Sequence, residues 1–235
     1  MKTLAIDTSL ATGSVAAADD DGVTEQPLGA AGEHARLLAA TLEDVAGRRG
    51  WRIRDADLIV VVRGPGSFTG LRVGVATAKA LAWATSAALV GVSGFAVVAR
   101  TAARSTDWHD APIAIAFDAG RGDVFAATVT PAATAGGWQV GPAGLLPAET
   151  WIAGLAAGTR VAGPALERLG AALAARDGIT LAPGAAWLPS AGEAAALGRL
   201  LAAAGAVDDA HSLLPDYLRP SYAEERAAGP GETGR

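Results

Sequence analysis

The sequence predicts a mixed α/β protein of two lobes, each built in the order βββαβαβα. Short apolar runs of strand length alternate with stripes of helical period along most of the 235 residues. The same grammar appears twice. Ala5-Ile6-Asp7, a turn at Gly13 and Val15-Ala16-Ala17 are matched by Ala116-Phe117-Asp118, a turn at Gly122 and Val124-Phe125-Ala126-Ala127. With 51% hydrophobic and 18% charged residues, the chain has the apolar content to fold, which excludes a disordered protein. Its length is about one and a half average domains, which suits two compact lobes.

In the first copy, residues 3–7 read as a short buried strand, 13–18 as a second and 23–28 as a third. From residue 33 the period changes. His34, Leu37, Leu38, Thr41, Leu42 and Val45 recur at spacings of three and four, the stripe of an amphipathic helix over 33–45. Residues 57–62 form a continuous apolar run, as in a strand covered on both faces. A Gly-rich loop leads into a helix over 69–85, then a strand at 89–92 and a helix at 95–104. The second copy places strands at 112–118, 123–129 and 137–140, then a helix at 150–157, a strand at 160–162, a helix at 164–176, a strand at 179–181 and a helix at 191–204. Its elements are shorter and rich in Ala and Gly, so the second lobe is expected to be reduced. The expected division is 1–107 for the first lobe, 108–222 for the second, and 223–235 for a charged, Gly- and Pro-rich flexible tail.

The net charge is −5, with no block of Lys or Arg, which disfavours a protein that grips a nucleic-acid backbone by itself. Cysteine is absent, which excludes disulfides and thiolate chemistry and fits a cytoplasmic location. Asp7 stands where a secretory leader needs its apolar core, so no leader is expected. Residues 80–99 carry no charge, yet Thr85, Ser86, Gly91, Ser93 and Gly94 interrupt them. Buried elements explain that stretch better than a membrane span.

Gly64-Pro65-Gly66-Ser67-Phe68-Thr69-Gly70 is the most structured motif. A Gly-rich turn feeding a helix can aim free N–H groups at a phosphate. The spacing here is GxGxxxG, however, and no Gly-Lys-Ser/Thr follows, so a tight strand-to-helix connection is the favoured reading. Asp7 and Asp118 both end strands. Such carboxylates either hold Mg²⁺ or accept a hydrogen bond from their own turn. Asp7, Ser9 and Asp118 are therefore the candidates for cofactor contact, although no cofactor is expected. His34, His109 and His211 are scattered without metal-ligand spacing, and no serine lies in a G-x-S-x-G setting. No catalytic or metal residue is assigned. Gly70 and Gly74, four apart, give the helix over 69–85 a flat ridge suited either to packing inside the lobe or to a helix–helix subunit contact.

Several segments, in order from residue 2 to about residue 220, resemble the bacterial TsaB (YeaZ) family. They are Leu4-Ala5-Ile6-Asp7-Thr8-Ser9, Glu33-His34-Ala35-Arg36-Leu37-Leu38, and the run from Arg63 through Gly74. Asp118-Ala119-Gly120-Arg121-Gly122-Asp123-Val124-Phe125 is similar to that family's DARRGEVY-like segment, and Pro215-Asp216-Tyr217-Leu218-Arg219 to its PxYLR. The resemblance implies the actin/Hsp70/sugar-kinase (ASKHA) fold. It also implies a non-catalytic, activating subunit in the synthesis of N6-threonylcarbamoyladenosine beside the anticodon of tRNA. Its partners would be the related transferase TsaD and the ATPase TsaE, with a homodimer forming when TsaD is missing and tRNA met only through the complex.

In the transferase relative, a GVNHLEGH-like segment supplies two metal-binding histidines. The matching positions here are Gly94 and Val98, which have no ligand atoms. Gly163-Pro164-Ala165 stands where the fold has an adenosine-binding turn, in reduced form. The expected partner interface comprises His34, Leu37, Leu38, Leu42, Phe68, Leu71, Arg72 and Val75. Two other classes stay open: a small ASKHA-type ATPase or kinase using Asp7 and Asp118 around Mg²⁺, which requires nucleotide turnover by the chain alone, and a glycoprotease-like metallopeptidase, which requires bound metal.

Overall fold

The computed structural model describes residues 1–29, 34–133 and 137–219. Glu33, at the expected helix start, and the expected tail at 223–235 lie outside them.

The first repeat opens with β1 (Thr3–Asp7), β2 (Ser14–Asp19) and β3 (Gly22–Pro27), an antiparallel meander. Helix α1 (His34–Arg48) carries the chain to β4 (Leu58–Val62), helix α2 (Phe68–Thr85) to β5 (Ala88–Val92), and α3 (Gly94–Ser105) leaves the sheet. Strands β4 and β5 run parallel to β1, giving the order β3-β2-β1-β4-β5. β4 reads LIVVV because both of its faces are covered, and all five side chains are buried. The edge strand β3 is mostly polar and ends in Pro27, which discourages further pairing.

The second repeat follows the same path with less material. It comprises β6 (Ile113–Gly120), β7 (Asp123–Pro131), β8 (Trp138–Val140), β9 (Gly144–Pro147), α4 (Ala148–Gly154), β10 (Arg160–Ala162), α5 (Leu166–Ala174), β11 (Thr180–Leu181) and α6 (Ala191–Ala203). Its sheet order is β11-β10-β6-β7-β8, the first sheet's order read backwards, with β9 added beside β7. The duplicated sheets have the ASKHA architecture that the resemblance implied. The sequence pattern missed β9 because one strand flanks only half of β7. β8 pairs with Val129–Pro131, and β9 pairs with the opposite end, residues 123–126.

Helices α1 and α2 cover the outer face of the first sheet in one core with Leu4, Ile6, Ile59 and Val61. Helices α4 and α5 cover the outer face of the second, where Trp151, Leu166, Leu169 and Leu173 are buried. Between the sheets the terminal helices cross over. α6, last in the second repeat, packs Ala191, Ala194, Ala195 and Leu197 on the first sheet. α3, last in the first, packs Phe95, Val98, Ala99 and Ala102 on the second. Gly198 allows the close approach of α6, since a Cβ there would overlap the Val60 side chain. The expected boundary at 107/108 falls in the loop after α3, while α6 lies against the first sheet. Among the described residues, no helix is long and apolar enough to cross a membrane.

Polar groups fix the crossing. Glu25 on β3 accepts hydrogen bonds from Ala191 N (2.9 Å) and Gly192 N (3.1 Å), capping α6 from a different strand. Glu193 holds Arg100 at 2.9 Å and Arg104 at 2.6 Å, tying α6 to α3. At the far end of β2, Asp19 pairs with Arg49 and accepts from Trp51 Nε1 at 3.0 Å, pinning the end of α1 to the meander.

The Arg49 contact, with help from Trp51 and the Asp21 N–H, lowers the Asp19 carboxyl to about 2. Its native value lies below the unfolded one, so its stabilisation is complete above about pH 4 and disappears as pH falls through 2. Asp19→Asn should therefore cost about 1 kcal/mol at neutral pH. Urea unfolding of both proteins should show that gap closing between pH 4 and pH 2.

Candidate functional site

The loop from β4 to α2 is shaped by contact with the β1–β2 turn. Ser67 is the N-cap of α2, its hydroxyl accepting from Gly70 N at 3.4 Å, and Ser67 N donates to Ser9 O at 2.7 Å. A Cβ at Gly66 would overlap the Ser9 carbonyl, one at Gly70 the Thr8 carbonyl, and one at Gly74 the Thr8 hydroxyl. Thr8 Oγ1 donates to Gly70 O at 2.7 Å, closing the contact. Gly66, Gly70 and Gly74 thus let a helix lie directly on a turn, the packing reading that the spacing favoured. No phosphate is needed to explain it.

Asp7 and Asp118 occupy equivalent places in the two repeats and do the same local work. Asp7 accepts from Ser9 N at 2.9 Å, and Asp118 accepts from Gly120 N at 2.8 Å. Their surroundings differ. Asp7 is fully enclosed, and burial pushes its carboxyl up against the opposing pull of the Ser9 hydroxyl and N–H. The Ser9 hydroxyl is buried without an aligned hydrogen-bond partner. Burial also works to raise Asp118, but Arg168, at 3.1 Å, and the Gly120 N–H outweigh it and hold the carboxyl below its ordinary range.

Between the lobes lies a cavity of about 910 Å³, lined from the first repeat by Ser9, Gly66 and Phe68 and from the second by Asp118 and Phe125. Of the three cofactor candidates, Ser9 and Asp118 line it. Asp7 sits beneath Ser9 and does not. The reduced turn Gly163-Pro164-Ala165 is pressed onto β6: a Cβ at Gly163 would overlap Ala116 O, and Ala165 N donates to that oxygen at 3.0 Å. Gly94 and Val98, at the metal-binding positions of the transferase relative, do not fit a metal. Gly94 faces Gly64 O and the Phe117 ring, and Val98 is fully buried in an apolar core. Among the described residues, no group of three His, Cys, Asp or Glu side chains is placed to hold a metal ion.

The expected interface residues separate into two sets. Leu38, Leu42 and Val75 are between 1% and 4% exposed and pack in the first-lobe core, and Leu71 is 1% exposed. The three-and-four spacing that singled them out is the core stripe of their own lobe. His34 is also buried, its Nε2 lying 3.2 Å from Ala11 O, where it holds the β1–β2 turn against the start of α1. Leu37, Phe68 and Arg72 remain at the surface. The outward face of α2 continues from Arg72 through Ala76 and Ala80 to Trp83, which is 82% exposed. Trp83 was missed, although it is legible in the sequence as a large apolar residue out of phase with the Leu71, Val75, Ala78 and Ala82 stripe.

A family model described as TsaD, tRNA N6-adenosine threonylcarbamoyltransferase, matches residues 12–144. The chain is similar to the tRNA threonylcarbamoyladenosine biosynthesis protein TsaB of Escherichia coli, at 32% identity over 125 residues and 53% of each chain. It is similar to TsaB of Bacillus subtilis at 43% over 72 residues, covering 31% of this chain and 30% of that protein. The chain thus spans about half or less of the length of these relatives. A solved structure of YeaZ from Pseudomonas aeruginosa superposes with a TM-score of 0.78 at 26% identity, covering 92% of this chain and 99% of that one.

The packing role of the glycines has an opposite-sign control. Gly70→Ala gains up to about 1 kcal/mol of helix propensity. The forced overlap with the Thr8 backbone costs about 1–3 kcal/mol, and the overlap prevails. Gly47→Ala near the end of α1, where a Cβ meets nothing within 4 Å, should be neutral or stabilising by about 0.5 kcal/mol. Thermal unfolding should show a lower Tm for Gly70→Ala and an unchanged or higher Tm for Gly47→Ala.

Proposed function

Because the chain belongs to the family of the tRNA N6-adenosine threonylcarbamoyltransferase (TsaD) model, and matches TsaB and YeaZ proteins within it, we propose that it is a non-catalytic, activating subunit in the synthesis of N6-threonylcarbamoyladenosine in tRNA. The observation that carries this reading is the chemistry at Gly94 and Val98. The transferase relative has histidines there, whereas here one position has no side chain and the other is sealed in hydrocarbon. A chain built this way supplies a surface rather than a metal centre.

That surface is the outward side of α1 and α2. Ala76 and Ala80 leave the α2 backbone open to close approach, and Trp83 supplies a large apolar anchor of the kind that dominates interfaces. The partner is a TsaD-type subunit bearing the same two helices. A second copy of this chain would compete for the patch, because pseudo-symmetric and isologous contacts use one surface. A TsaE-type ATPase joins the assembly, which meets tRNA through the other subunits. The net charge of −5 supports that indirect route. The lobe division at 107/108 and a cytoplasmic location belong to the same reading.

Reconstitution with TsaD, TsaE, the enzyme that makes the threonylcarbamoyl-adenylate, and tRNA tests the role. Modified adenosine should depend on this chain, and the chain alone should turn over neither nucleotide nor peptide. Modification that proceeds equally well without it would move the ASKHA-type ATPase reading to the front. Trp83→Glu and Ala76→Arg should each weaken binding to TsaD at least about tenfold, or about 1.4 kcal/mol. Both positions are solvent-exposed, so Tm should be unchanged while a binding titration reads the loss.

A further inference from the structure

We propose that residues 208–219 form a gate over the cleft between the lobes, anchored on the first lobe and latched to the second by Arg219. The anchored end is built into the sheet. Asp208 N donates to Leu89 O at 2.7 Å, and Asp208 Oδ2 accepts from Gly91 N at 2.8 Å. Leu213 is 3% exposed in the first-lobe core, and Lys79 Nζ donates to its carbonyl at 3.2 Å. Asp216 N donates to Arg63 O at 2.7 Å, and the Asp216 carboxylate pairs with Arg63 at 3.2 Å.

Two absent side chains shape the seat. A Cβ on Gly91 would stand 2.8 Å from Leu213 Cδ1, and one on Gly64, at φ 141°, would stand 2.7 Å from Asp216 O. These glycines have no role in the strand-to-helix packing described above. They accommodate the returning chain.

Beyond Asp216 the segment crosses the cleft. The Tyr217 ring stacks 4.8 Å from Phe68, its hydroxyl accepts from Arg72 Nε at 3.0 Å, and the Arg72 guanidinium lies 3.9 Å over the Phe68 ring. Leu218 packs against the second-lobe core. Arg219 donates to Ala119 O at 2.9 Å and pairs with Asp123, on the far side of the β6–β7 turn. Asp216, Tyr217, Leu218 and Arg219 together form one wall of the 910 Å³ cavity.

The two ends differ in kind. The first-lobe end is held by backbone hydrogen bonds and a buried leucine. The second-lobe end is held through side chains, by the Leu218 contact and by Arg219, which donates to Ala119 O and pairs with Asp123, side chains 19% and 28% exposed. The latch therefore releases first, and the cleft opens while the segment stays attached to β5.

The chain has no cysteine, so Leu10→Cys, at a half-buried cavity-lining position, gives a single thiol reporter in the full-length protein. Maleimide alkylation of that thiol should be slow in the parent and about tenfold faster with Arg219→Ala or Tyr217→Ala. It should accelerate with added NaCl, and Arg219→Lys, which keeps the charge and a donor for Ala119 O, should stay near the parent rate. A thiol at exposed Ala40 should react at one rate in every background. Equal rates at Leu10→Cys in parent and Arg219→Ala would overturn the gate, and an Arg219→Lys variant as fast as Arg219→Ala would overturn the latch. No partner protein enters the assay, so its outcome is separate from the proposed docking on α2.

Discussion

The exchange of the last helices between the repeats is the constraint on which the rest depends. A sheet with helices on one face leaves its other face to be buried, and here each lobe's inner face is covered with material from the other repeat. α6 lies on the first sheet and α3 on the second, with Ala96 and Val97 of α3 also reaching the first-lobe cluster. Glu193 bridges the pair through Arg100 and Arg104, and Glu25 seats the start of α6. Neither lobe closes its core without the other, so the cleft keeps a fixed floor.

Local order was legible because it is written locally. The five-residue apolar run of β4, the helical period of α1 and the matched strand–turn–strand in each repeat follow from chemistry within about ten residues. The exchange could not be read this way, since the apolar side of α3, with the run from Phe95 to Ala99, could serve either sheet. The candidate site shows the same limit more sharply. Leu38, Leu42, Leu71 and Val75 have the spacing of an interface stripe because an interface and a core impose the same helical period. What separates them is the identity of residues off the stripe. Ala76, Ala80 and Trp83 lie there at the same helical period, but a stripe of small residues with one aromatic does not draw attention as a run of large aliphatics does.

The long-range ties were invisible for a different reason. Tyr217 and Arg72 are 145 residues apart, and each reads as an unremarkable surface residue alone. Arg219 and Asp123 are likewise paired across the fold. Many of the arginines are committed in this way: Arg49 to Asp19, Arg63 to Asp216, Arg168 to Asp118 and Arg199 to Asp20. Counting cations overstates what such a surface offers to phosphate, because each of these charges already faces a carboxylate.

Helix α2 brings these strands together because its faces serve different contacts. Its glycine ridge lies on the β1–β2 turn, and its aliphatic stripe fills the first-lobe core. Its outward side carries small residues and Trp83, while Phe68 and Arg72 at its start clasp Tyr217. The residues that set the position of the helix are buried, and Arg72, Ala76, Ala80 and Trp83 on its outward side are exposed. A substitution can therefore remove an outward contact without moving the helix, whereas a change in the glycine ridge displaces every face at once. That separation makes the outward face separately testable in this fold, because a change in the buried leucine stripe also perturbs the first-lobe core.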